Sequence, residues 1–160
     1  MNHSHDERRE THMAPMEELM PLIRERLAAG QSIRFSPRGV SMLPMLRQGR
    51  DSVVISPVTA PLAKYDLPLY QRESGQYVLH RVVAVGDGYT CMGDNQFAKE
   101  RGIAHDQIIA VVTAFYREDK EYSTRAVSYR LYCRLWHISR PFRRLWRGAK
   151  SRLRRWLKRS

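Results

Sequence analysis

Apolar positions change their spacing along this chain. In "PMEELMPLIRERLAAG", Met16, Leu19, Met20, Ile23 and Leu27 recur at helical intervals, which is the spacing of one helix face. The pattern predicts a helix over 15–29. Glu17 and Glu18 suit its first turn and Gly30 its end. Pro21 lacks a backbone donor and is the one position that argues for a shorter helix starting near it. From Gln31 to Arg117 the apolar positions alternate or run together in short blocks: "SIRF", "SVVISPV", "LPLYQR", "YVLHRVVAV", "YTCM" and "QIIAVVTAFYR". These read as strands, with "ESG" and "GDG" as tight turns between them. Short strands at regular intervals predict a mainly β fold, a small antiparallel domain whose β region spans 31–117. His80 is read as a mid-strand residue and Asp94 as following a strand end.

Beyond residue 124 the helical period returns. Val127, Leu131, Leu135 and Ile138 step by four, four and three. Ser139 and Pro141 mark a second helix start. Phe142, Leu145, Trp146, Ala149, Leu153, Trp156 and Leu157 then fall on one face, with arginines and lysines on the other. Residues 125–160 therefore read as a basic amphipathic helical tail, residues 14–124 as the globular domain, and the polar residues 1–13 as a disordered arm. The arm's His3, His5 and His12 are read as solvated.

Charge sharpens this division. The net charge of +12 suggests nucleic acid until it is located. Residues 1–124 hold 15 Lys/Arg and all 16 Asp/Glu, whereas residues 125–160 hold 13 Lys/Arg and no acid. The basicity belongs to the tail. An amphipathic helix with tryptophan on one face and arginine on the other suits an anionic bilayer surface. A partner protein is the second choice. Nucleic acid is third, because phosphates make no use of the apolar face. Phe142, Trp146 and Trp156 are the expected membrane or partner contacts.

No apolar run approaches the ~20 residues of a spanning helix, and "MNHSHDERRE" has no apolar core of a secretory signal. The expectation is a membrane-surface protein, on the cytoplasmic side by default. Cys91 and Cys133 form no disulfide framework and no zinc spacing. No metal or cofactor is implied, and phosphate-loop, dinucleotide and GxSxG motifs are missing.

Three short segments carry candidate chemistry: Ser41 in "GVSMLP", His80 in "YVLHRVV" and Asp94 in "MGDN". A serine hydroxyl needs a base to become a nucleophile. Neutral imidazole serves near pH 7, and a carboxylate on its other nitrogen fixes the tautomer. Gly39, two residues before Ser41, frees the backbone to turn N–H groups toward an oxyanion. Taken singly, each has a structural reading too: Ser41 as a turn residue beside proline, His80 as a core histidine between Val78 and Val82, and Asp94 as a turn former.

In this order, "GVSMLP", "LHRVV" and "GDN" ahead of Glu100-Arg101 resemble the signal peptidase I family, the S26 serine peptidases. The resemblance covers roughly residues 31–117. It implies an antiparallel β domain of the signal peptidase/LexA-like type and a serine endopeptidase that cleaves a leader or signal segment of another protein. It matches Ser41 to the nucleophile and its N–H to the oxyanion hole. It matches His80 to the base of the endoplasmic-reticulum and archaeal members, where bacterial housekeeping members carry lysine. Asp94 is the favoured acid. Glu100, six residues on, is the alternative, in a position where the family usually has Asp. Asp66 in "KYDLPLY" falls in a G-D box whose glycine is Tyr65, and is read as structural. Family members are normally anchored by a spanning helix, which the tail would replace here. Two further readings stay open: a non-catalytic binding module of the same fold, and a self-cleaving regulator. Histidine at 80 and the lack of DNA-binding helices weigh against the latter.

Overall fold

In the computed structural model, residues 15–146 and Gly148 are described. The arm 1–13 and the tail positions Ala149, Leu153, Trp156 and Leu157 lie outside the described residues. The first helix, α1 (Met16–Ala28), buries Met20, Ile23 and Leu27, the face that the spacing marks. It starts before Pro21. Pro15 accepts the first bonds from Glu18 and Leu19, and Pro21 lies one turn further on, where its missing N–H costs a single bond.

Nine strands follow among the described residues: β1 (Ile33–Phe35), β2 (Asp51–Ser56), β3 (Pro68–Gln71), β4 (Tyr77–Leu79), β5 (Arg81–Val85), β6 (Tyr89–Met92), β7 (Glu100–Ile103), β8 (Ile108–Arg117) and β9 (Lys120–Ser123). They form two antiparallel sheets. One has the order β1-β2-β8-β3-β4, with β9 added on β8, and the other has the order β5-β6-β7. The ten-residue β8 organises the first sheet. It pairs with β2 along most of its length, with β3 near its start and with β9 at its end.

The predicted strand "YVLHRVVAV" is two strands. Leu79 pairs with Leu69 in the first sheet, and Arg81 pairs with Met92 in the second. The chain changes sheets at His80, which belongs to no strand. This corrects the mid-strand placement of His80. The alternation still holds through the break: Val78, His80 and Val82 are all buried, because the space between the sheets continues past it. Tyr70, Val78, Val82, Tyr89, Cys91 and Ile103 fill that space.

A larger core lies among α1, the first sheet and α2 (Val127–Ile138). Tyr129 and Cys133 of α2 are members of it. The packed unit therefore extends past residue 124 into the segment read as tail. Residues 140–146 are again helical. Val127, Leu131, Leu135, Ile138, Phe142, Leu145 and Trp146 are all more than half exposed, from 54% at Leu131 to 83% at Val127. Thus α2 docks through Tyr129 and Cys133, and the sequence's apolar stripe faces away from the core. No helix among the described residues is long and apolar enough to cross a membrane.

Candidate active site

The segment "RGVSMLPML" is held by the turn that follows β6. Gly39 adopts a φ of +93°, which only glycine takes without strain. Asn95 N–H donates to the Ser41 carbonyl at 2.8 Å, and Asn95 Nδ2 donates to the Val40 carbonyl at 3.1 Å. Gly93 lets the two segments approach. A Cβ there would lie 2.7 Å from the Ser41 carbonyl oxygen and 3.1 Å from His80 Nε2. "GDN" thus does three jobs: glycine gives clearance, asparagine clamps the Ser41 loop, and aspartate holds an arginine.

That arginine is Arg81. Its guanidinium is fully buried and forked onto Asp94, with Nε to Oδ1 at 2.8 Å and Nη2 to Oδ2 at 2.7 Å. It also donates to Tyr129 Oη at 2.6 Å and Cys133 Sγ at 2.8 Å, both on α2. The Asp94 carbonyl accepts from Trp136 Nε1 at 3.0 Å. Asp94 is therefore spent on fixing α2 and the turn.

The carboxylate on His80 is Glu100. Its Oε1 lies 3.1 Å from Nδ1. This corrects the preference for Asp94 as the acid that orients His80. The reason is the break at His80: Arg81, on the opposite side of the chain, takes Asp94, while β7 pairs with β6 and brings its first residue, Glu100, beside the imidazole. Arg72, just past β3, grips Glu100 through Nε to Oε2 at 2.8 Å and again through Nη2. The Tyr70 hydroxyl lies 3.3 Å from His80 Nδ1 and helps to lower the Glu100 pKa. No sequence motif marks Arg72 or Tyr70. The only hint was their place beside "ESG", a hairpin turn.

These partners set the protonation states. Burial lowers the His80 pKa below its usual value; Glu100 opposes this and Arg72 adds to it. Arg72 holds the Glu100 carboxyl below its usual range. The pair at neutral pH is then an imidazole and a carboxylate. With the carboxylate at Nδ1, that nitrogen carries the proton and Nε2 is left as acceptor.

Ser41 and His80 line one cleft of about 220 Å³, whose walls include Gly39, Gln48, Arg72 and Gln96. The Ser41 hydroxyl makes no hydrogen bond to His80. Nucleophile and base contacts of this kind often close only around substrate. The Ser41 N–H has no partner among the described residues, so it is available to an oxyanion. The Gly39 N–H is not: it donates to Gln48 Oε1 at 2.7 Å, which corrects its placement as a second oxyanion donor. Asp66 accepts the Ala63 N–H at 2.7 Å, as a turn residue does. No group of three His, Cys, Asp or Glu among the described residues is arranged to hold a metal ion. Comparison of the chain with protein-family models, curated proteins and solved structures returns no match.

Proposed function

We propose that this protein is a serine endopeptidase of the signal-peptidase-like type, working through Ser41, His80 and Glu100. The observation that carries the reading is the position of His80, with Nδ1 on a carboxylate and Nε2 beside the Ser41 loop. Ser41 Oγ attacks a peptide carbonyl carbon and passes its proton to His80 Nε2. The negative oxygen of the tetrahedral intermediate accepts a hydrogen bond from the Ser41 N–H. His80, now imidazolium and held by Glu100, gives the proton to the leaving amine. The C–N bond breaks and leaves an ester on Ser41. Water, deprotonated by His80, hydrolyses that ester and returns the hydroxyl. Asp94 supports the site through Arg81 and takes no proton. The substrate is a leader or signal segment of another protein.

The same reading puts the tail on an anionic membrane surface. The exposed stripe from Val127 to Trp146 supplies the apolar face, and the acid-free, arginine-rich segment 125–160 supplies the charge. Phe142 and Trp146 border the same surface hollow as Leu43 and Pro44, next to the nucleophile loop.

The test compares newly formed protein N-termini, by mass spectrometry, in cells carrying wild type or Ser41→Ala. Cleavages that vanish with Ser41 support the reading and name the substrates. Matching profiles, with both proteins folded and expressed, contradict it.

A further inference from the structure

A second cavity, of about 600 Å³, lies where Pro44 and Met45, the β8–β9 hairpin and the start of α2 meet. It shares no lining residue with the Ser41 cleft. Its size is that of a small-molecule site.

The walls have two characters. Phe115, Tyr122, Tyr129 and Tyr132 present rings, and Arg47, Arg50 and Arg117 present guanidinium groups. Glu121 is the single carboxylate among the lining residues, and it accepts from the Tyr116 hydroxyl. Arg50 is forked onto Asp51. Arg47 has no ion-pair partner among the described residues, and Arg117 Nη2 donates only to the neutral Met45 carbonyl, at 3.1 Å. The start of α2 adds positive potential: it has no side-chain cap and no acid in its first turn.

Two buried donors at this place have no acceptor among the described residues. They are Arg117 Nε and the Tyr132 hydroxyl, and both residues line the cavity. Burial pushes the Tyr132 phenol pKa up, so it stays a donor. Buried polar groups without partners are few in folded proteins, and each carries a desolvation penalty. Here both belong to residues that line one cavity, beside Arg47, which forms no ion pair among the described residues, and Arg117, whose cross-strand neighbour Asp51 is already forked by Arg50.

We infer that this cavity binds an anionic amphiphile, a phosphate or carboxylate head on an apolar body. The head meets Arg47, Arg117 and Tyr132, and the body lies against the rings. The occupant would touch the nucleophile loop from behind the cleft: Met45 gives its carbonyl to Arg117 and its Sδ to Arg81 Nη2, at 2.8 Å. The inference does not depend on the peptidase reading.

The probe is octyl phosphate at monomeric concentrations, titrated calorimetrically into the purified full chain. Octanol and inorganic phosphate are the two halves of the probe. The expected result is saturable one-to-one binding of octyl phosphate, roughly tenfold or more tighter than either half, and weakened roughly tenfold by Arg117→Met. Tyr132→Phe, which removes only an unpaired hydroxyl and leaves the fold intact, weakens it a few-fold. Arg47→Gln, on the exposed rim, does the same if Arg117→Met fails to fold. Octanol binding as tightly as octyl phosphate overturns the inference. So does binding undiminished in both Tyr132→Phe and Arg47→Gln. Phosphatidic acid vesicles distinguish the source. Vesicle binding lost in Arg47→Gln places the head in a bilayer. Vesicle binding unchanged in that variant, with octyl phosphate binding reduced, places it on a free molecule.

Discussion

His80 Nδ1 lies 3.1 Å from Oε1 of Glu100, and this pairing divides the work between two carboxylates that the sequence offers as rivals. Glu100 is partly exposed and acts on the imidazole. Asp94 is buried and acts on Arg81. The two substitutions should therefore fail differently. Glu100→Ala should lower kcat by roughly 10²- to 10⁴-fold, as the loss of an orienting acid does, with little change in Tm. Asp94→Asn should cost about 3–5 kcal/mol of stability, because it leaves Arg81 buried without its counter-charge. Thermal unfolding and peptidase kinetics on both variants check this. Equal loss of activity with equal stability would reverse the assignment.

The pH dependence follows from burial of the imidazole. Its pKa is lowered from the usual 6.5, and the neutral form is the one that serves as base in the proposed mechanism. Activity should rise with pH along a limb whose midpoint lies below 6.5, and lie flat above it. The stability effect has the same sign. The unfolded chain takes up the proton more readily, so His80 weakens the fold as pH falls below 6.5. Glu100→Gln removes a charge that raises the His80 pKa, so its acid limb should move lower still. A kcat/KM profile for both proteins reads the direction. A limb in Glu100→Gln that moves upward would contradict the geometry.

Gly93 is the tightest point of the site. A methyl there collides with the Ser41 carbonyl at 2.7 Å and presses on His80 Nε2 and Gln96 Oε1, each at 3.1 Å. Gly93→Ala should therefore separate nucleophile from base and lower kcat at least 10²-fold. Gly86 has nothing within 4 Å of such a methyl, so Gly86→Ala serves as the control. It should keep wild-type kinetics.

The tail needs point variants. Deleting residues 125–160 removes Tyr129 and Cys133 from the core, and binding lost on deletion would report unfolding. Leu131→Ser, Leu135→Ser and Trp146→Ser combined change only exposed positions. The triple variant should keep its Tm and lose most co-sedimentation with phosphatidylglycerol vesicles. Undiminished co-sedimentation would remove the apolar stripe from the membrane account.

The antiparallel β character and α1 were legible because they rest on periodicity. Met20, Ile23 and Leu27 are buried as their spacing demands. The strand β7 was not legible. "ERGI" offers one apolar side chain, and Gly102 takes a φ of +72°, so its pairing with β6 is a tertiary choice. That omission hid the acid. Glu100 reaches His80 only once β7 joins β6, and no local pattern distinguishes Glu100 from Asp94. The break at His80 was masked for a related reason. Alternation continued through it because both sheets bury the same face. Arg72 and Tyr70 come to Glu100 across 28 and 30 residues of sequence, a proximity that only the fold creates.

The most direct measurement is cleavage of a proteome-derived peptide library by the purified full chain, beside its Ser41→Ala and His80→Ala variants. The account predicts a set of cleavages made by the wild type that neither variant makes. Cleavage retained by Ser41→Ala, or none by a folded wild type, would contradict it.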